Sequence, residues 1–179
     1  VNDVPQLLID IVNPAESFTL NDWLTQTHYA LKRIWEVGQL PVVVGGTGLY
    51  VTALLEGYQP GGGRGAKNNA PVDFRSLILM PEVSRKVLYE RSDDRCRRIF
   101  DVLVVETQCL LDSGVDGDWL DKIGLDYRYA VYRIRGQLDR SEAIEQYQVA
   151  SRAYIRRQLT WWRHHGKPAT VKNQDSAIL

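Results

Sequence analysis

The stretch LPVVVGGTGLY at residues 40–50 constrains this chain more than any other. Pro41 opens an apolar run in which Val42, Val43 and Val44 are β-branched and have no polar residue between them, the pattern of a short strand buried on both faces. Such a strand needs helices on either side, so it points to an α/β arrangement. Gly45 and Gly46 permit a tight turn with close backbone approach. Thr47 is placed to N-cap a helix through Leu49, Tyr50, Ala53 and Leu54 that ends at Gly57. A strand entering a helix through glycines turns free N–H groups and the positive dipole end toward one spot, a place for an anion such as phosphate. Any tight strand-to-helix turn gives the same pattern, and the motif alone does not separate the two.

A second apolar run, LLIDIV at residues 7–12, carries Asp10 as its one charge, which places that carboxylate at a strand end, in a pair or in a site. Asn13 and Pro14 break the run. Thr19 and Asp22 then make a start resembling a capping box, and Leu20, Trp23, Leu24, Thr27, Leu31, Ile34 and Trp35 recur at helical spacing up to Gly38. Strand, helix and strand make a βαβ unit with a right-handed crossover. Residues 58–73 hold four close glycines and hardly any apolar side chain, so they read as an exposed, flexible linker. Within it, residues 61–68 resemble a phosphate-binding loop only faintly, because Ala66 and Asn68 replace the required glycine and Ser/Thr. FRSLILM at 74–80 is a third strand candidate, stopped by Pro81.

Ser84 caps a helical region reaching Gly114, on which Arg91, Arg95 and Arg98 share a face. From spacing alone a solvated face paired with Asp93, Asp94 and Asp101 explains them better than a binding role does. After Asp116, Gly117 and Asp118 a short helix holds Tyr127, Val131 and Ile134 and ends at Gly136. The last helix opens at Asp139 with Glu142 as its N3 partner and runs to about His165. On it Arg152, Arg156 and Arg163 line up beside aromatic residues, a combination that suits phosphates and unstacked bases. A core-packing helix with a solvated basic back has the same pattern.

At 179 residues and 44% hydrophobic content the chain has the length of one ordinary domain and enough apolar residues to bury a core. Its formal charge is zero, but residues 1–121 hold 11 Lys and Arg against 17 Asp and Glu, while residues 122–179 hold 11 against 5. A polyanion would therefore meet the C-terminal third first. Cys96 and Cys109 have no CxxC or Cys/His partner pattern and read as buried or idle thiols of a reducing compartment; His164 and His165, adjacent on a helix, are poorly spaced as metal ligands. No leader or bilayer-length apolar run is present, so the expectation is a cytoplasmic protein. The first residue is Val1, which leaves an incomplete or processed N-terminus open.

LIDIVNPAESFTLNDW, LPVVVGGTGLYVTALLEG, SRKVLYERSDDR and YIRRQLTWWR, in this order, resemble the tRNA dimethylallyltransferase (isopentenyltransferase) family. GGTGLY and RRQLTWWR are the specific parts. The resemblance implies a single, partial α/β domain over residues 1–179. Its fold would be a truncated P-loop-kinase-like parallel sheet flanked by helices, with a long basic C-terminal helix and a short linker at 58–73 in place of the family's helical insertion. The implied reaction is transfer of a dimethylallyl group from dimethylallyl diphosphate to N6 of the adenosine beside the tRNA anticodon. Nucleotide (ATP-type) binding, Mg²⁺ as cofactor, tRNA as partner and a monomeric state are implied with it.

Residue by residue, Gly45, Gly46 and Thr47, followed by Gly48, match a turn along the channel where the adenosine enters, with Thr47 among the catalytic residues. Arg95 matches an arginine on the substrate diphosphate, with Arg91 one turn earlier; a guanidinium fork suits charge growing on that leaving group. Gly124, Tyr127 and Arg128 correspond to a Gly-Tyr-Arg tRNA contact in which Leu125 and Asp126 intervene here. Arg156, Arg157, Gln158, Thr160, Trp161 and Arg163 match the tRNA-contacting motif of the last helix. The 179 residues contain no GxxxxGK[ST] loop and no match to the family's general-base aspartate, so the expectation is little or no transfer by this chain alone. A non-catalytic RNA-binding remnant and an enzyme using free adenylate as acceptor stay open as alternatives.

Overall fold

The computed structural model describes residues 4–58, 72–165 and 168–171. Among them lie six helices and one two-stranded parallel sheet. The chain divides into two compact units, Val1–Ile78 with Trp161–Lys167 and Leu79–Thr160 with Pro168–Leu179.

In the first unit, helix α1 (Leu20–Glu36) begins where the Asp22 N–H donates to Thr19 Oγ1 at 3.3 Å and the Thr19 N–H donates to Asp22 Oδ2 at 2.8 Å. This reciprocal capping box satisfies donors that a helix start otherwise leaves open. Leu24, Thr27 and Leu31, at spacings of three and four, form the buried stripe of α1. Helix α2 (Gly48–Leu55) covers that stripe with Ala53 and Leu54, and Trp23 and Phe74 pack at the edge of the cluster. Burying a leucine here stabilises by roughly 1.5–3 kcal/mol.

The strands expected in this unit do not form. Leu8 (φ 63°) and Asp10 (φ 56°) are left-handed, which interrupts any extended path through residues 7–12. Val42, Val43 and Val44 are 78, 44 and 90% exposed and lie in irregular backbone. β-branched residues favour a strand only where neighbours pair with and cover it, and among the described residues none does so here. The βαβ unit expected from these two runs is therefore absent from the described residues. Of the third candidate at 74–80, only its end is extended: strand β1 (Leu79–Pro81) includes the proline expected to stop it.

In the second unit β1 pairs in parallel with strand β2 (Ala169–Val171), Leu79 opposite Ala169 and Pro81 opposite Val171. Helix α3 (Arg85–Asp112) starts where Ser84 Oγ accepts from the Val87 N–H at 3.3 Å. The single short helix expected after residue 118 is two, α4 (Gly117–Ile123) and α5 (Leu125–Ile134), separated by Gly124 in extended conformation. Helix α6 (Arg140–His164) follows a second reciprocal cap, in which the Asp139 N–H donates to Glu142 Oε2 and the Glu142 N–H to Asp139 Oδ1, both at 2.8 Å. Cys96, Phe100, Tyr129, Ala143, Ile144 and Tyr147 form the core between α3, α5 and α6. Cys96 is buried in that core and Cys109 is exposed, both as free thiols. Residues 59–71 of the expected linker lie outside the described residues. Among the described residues no helix is long and apolar enough to cross a membrane.

Candidate functional site

In the first unit Gly45 and Gly46 lead into Thr47, which N-caps α2 through its carbonyl, 3.0 Å from the Tyr50 nitrogen, with no cap bond from its side chain. Gly48 is buried, and the reason is its neighbour. A Cβ at position 48 would stand 2.2 Å from Trp161 Cδ1, so only glycine lets this indole lie on the start of α2. The Trp161 Nε1–H donates to Thr52 Oγ1 at 3.0 Å, one turn further along α2. His165 stacks on the same indole, ring centroids 4.1 Å apart. Trp161 thus joins RRQLTWWR to GGTGLY, two motifs that the sequence places more than a hundred residues apart.

In the second unit Arg95 is held from two sides. Its Nη1 donates to the Tyr147 hydroxyl and its Nη2 to Asp126 Oδ2, each at 3.2 Å, while the Tyr147 hydroxyl donates to Asp126 Oδ1 in a short hydrogen bond. Burial lowers the guanidinium pKa, but Tyr147 and Asp126 more than offset this and hold it above its ordinary value. Burial first, and then the hydrogen bond to Asp126, push the Tyr147 phenol far up, so it stays neutral and donating. Arg91 is exposed and has no ion-pair partner among the described residues. Arg98 pairs with Asp94 at 2.8 Å, as a solvated face would.

Tyr127 donates to Glu106 Oε1 at 2.7 Å, and that bond, with burial, raises its pKa to about 12. Arg128 bonds to Asp121 through Nε to Oδ1 at 2.7 Å and through Nε and Nη2 to its carbonyl at 3.1 and 3.0 Å. Both side chains are thus engaged across the α3, α4 and α5 junctions, and Gly124 is the joint between α4 and α5. Along α6, Arg152 is bound to Asp93 at 2.9 Å, which removes it from the expected basic stripe. Arg156, Arg157, Thr160 and Arg163 are exposed and Gln158 is half-buried; Arg157 lies 5.7 Å over the Tyr154 ring.

Sequence reasoning missed Asp126, Tyr147, Thr52, Glu106 and Asp121 as partners. By sequence Asp126 only interrupts the Gly-Tyr-Arg match, and nothing in the spacing of the last helix singles out Tyr147. The one usable signal was a lone acid set beside aromatic residues of a core-facing helix. Among the described residues no three His, Cys, Asp or Glu side chains converge on a metal position.

The family model described as IPP transferase matches residues 1–66 and 62–165. The tRNA dimethylallyltransferase of Koribacter versatilis is 30% identical over 98% of this chain and 78% of its own length. That of Lactococcus lactis subsp. cremoris is 26% identical over 88% of this chain and 70% of its own. The fold is that of two crystal structures, both α/β with P-loop-like architecture. The tRNA delta(2)-isopentenylpyrophosphate transferase of Staphylococcus epidermidis has a TM-score of 0.81 and 21% identity, covering 96% of this chain and 76% of that one. The tRNA isopentenylpyrophosphate transferase of Bacillus halodurans has a TM-score of 0.82 and 23% identity, covering 96% and 72%. The motifs, the fold and the length of the family match agree, and the chain belongs to the IPP transferase family.

Proposed function

We propose that this protein works in tRNA modification, as a prenyltransferase that moves a dimethylallyl group from dimethylallyl diphosphate to N6 of the adenosine beside the anticodon. The observation that carries the reading is the family match, which runs through both the glycine turn and α6. In this reading the turn at Gly45, Gly46 and Thr47 lines the path of the adenosine, with Gly48 and Trp161 fixing its helix. Arg95 and Arg91 meet the diphosphate, where the guanidinium donors stabilise charge on the leaving oxygens. Gly124, Tyr127 and Arg128 shape the α4–α5 junction that faces tRNA, and Arg156, Arg157, Gln158, Thr160 and Arg163 take its phosphates and loop bases. Mg²⁺ would offset diphosphate charge when bound.

The test is binding of an anticodon stem-loop across a salt series. Removing two phosphate contacts by Arg156→Ala with Arg163→Ala should lower the slope of log affinity against log salt by about 1.4, at roughly 0.7 per single-strand contact. An unchanged affinity and slope would exclude this face of α6. Prenylated product in the same mixture with dimethylallyl diphosphate supports transfer, and binding without product supports an RNA-binding role alone.

A further inference from the structure

We propose that Asp126 and Tyr147 are positioning residues for Arg95, holding its guanidinium ready for a diphosphate oxyanion; this rests on the reading of Arg95 given above. The three side chains close a ring of hydrogen bonds: Arg95 to Tyr147, Arg95 to Asp126, and Tyr147 to Asp126. Tyr147 is fully buried and packs against Tyr129, the ring centroids 5.8 Å apart and the planes tilted by 32°, so one wall of the ring is core. Arg95 is the opposite case, with 55% of its side chain exposed. A guanidinium carries more donors than these two bonds use, and the rest remain available to a ligand. An arginine free in solvent would lose its rotamer freedom on binding an anion, whereas here the protein has already fixed it. Arg91 lies one turn earlier on α3, exposed, which adds a second cation on the same face.

A purely structural ion pair would look similar in one respect, since α3, α5 and α6 are tied together by it. The two roles differ in sign. If Asp126 only neutralises Arg95, removing its charge frees the cation and diphosphate binds more tightly. If Asp126 positions Arg95, removing it lets the guanidinium swing and binding weakens despite the more favourable charge.

The experiment measures inorganic pyrophosphate binding to the full chain by titration calorimetry, with circular dichroism to confirm folding of each variant. Arg95→Ala should abolish or strongly weaken binding. Asp126→Ala and Tyr147→Phe should each weaken it by about fivefold, the equivalent of one net hydrogen bond. Asp126→Asn, which keeps the shape and an acceptor for Tyr147, should recover part of the loss and covers the case in which Asp126→Ala does not fold. In the Arg95→Ala background the Asp126 and Tyr147 substitutions should have no further effect. Unchanged or tighter binding by the Asp126 variants, with Arg95→Ala still damaging, overturns the positioning role and leaves the diphosphate reading intact. Binding indifferent to Arg95→Ala, or absent in the unsubstituted protein, overturns both.

Discussion

Replacing Gly48 by alanine tests the junction between the glycine turn and α6. The added Cβ would stand 2.2 Å from Trp161 Cδ1 and 2.5 Å from Cγ and Nε1. Carbon atoms pack at about 3.5–4 Å, so the indole must retreat by more than about 1 Å. That retreat stretches the 3.0 Å bond from Nε1 to Thr52 Oγ1 past the range of a real hydrogen bond. Overpacking costs about 1–3 kcal/mol, and the lost bond adds about 1 kcal/mol. Against this, alanine gains up to about 1 kcal/mol over glycine in a helix interior, and less at the first helical position. The clash wins, and the net loss is about 1–3 kcal/mol. For a chain of this length that lowers the melting temperature by about 3–9 °C. Thermal unfolding followed by circular dichroism reads it directly. In a Trp161→Ala background, where the clashing ring is gone, Gly48→Ala should be neutral or slightly stabilising. An unshifted melting temperature in the single variant, or the same penalty in both backgrounds, refutes the reasoning.

Three further outcomes follow from the side-chain network. Tyr127 has its pKa raised to about 12 by Glu106, so its stabilising bond is complete below about pH 10 and is lost as pH rises through about 12. Glu106→Gln should move the Tyr127 step in a tyrosinate absorbance titration to lower pH, with Tyr127→Phe identifying the step; an unmoved step rejects the assignment. Arg128→Lys loses the fork that grips Asp121 three times and should cost about 1 kcal/mol after allowance for exposure. Urea unfolding with no shift in midpoint would show the fork to be idle. Asp22 has its pKa lowered by its bonds to Thr19, so its contribution is present above its unfolded value of 3.8 and is lost as pH falls through the lower, folded value. Asp22→Asn should flatten that acid limb of helix content, and an identical limb in the variant would place the acid sensitivity elsewhere.

The helices were legible in the sequence because their signals are local. Thr19 with Asp22 and Asp139 with Glu142 each close a cap within three residues, and both caps are present. The strands were not, because strand formation depends on what pairs with it: Val42, Val43 and Val44 have the composition of a buried strand and stand exposed. The same distinction separates what could be read of the site. The family motifs gave Arg95 a role, but its partners Asp126 and Tyr147 lie 31 and 52 positions away and no spacing rule links them. Arg152 looked like one more member of a basic stripe until Asp93, 59 positions distant, took its charge. Gly48 entered the sequence reading only as part of the turn matched to the family, whereas the structure shows that Trp161 fills the space a side chain there would need.

The exposed valines also bear on self-association, because an uncovered apolar segment is a surface for other chains. Residues 37–55 contain no charged side chain, and Leu40, Val42 and Val44 are 87, 78 and 90% exposed within them. Uncharged, β-prone segments of this kind nucleate intermolecular cross-β stacking, and charges or prolines are the usual guards against it. With no charge available, the guarding falls to Pro41, which lacks the N–H needed to extend a ladder. Pro41→Val would remove that guard beside the exposed valines.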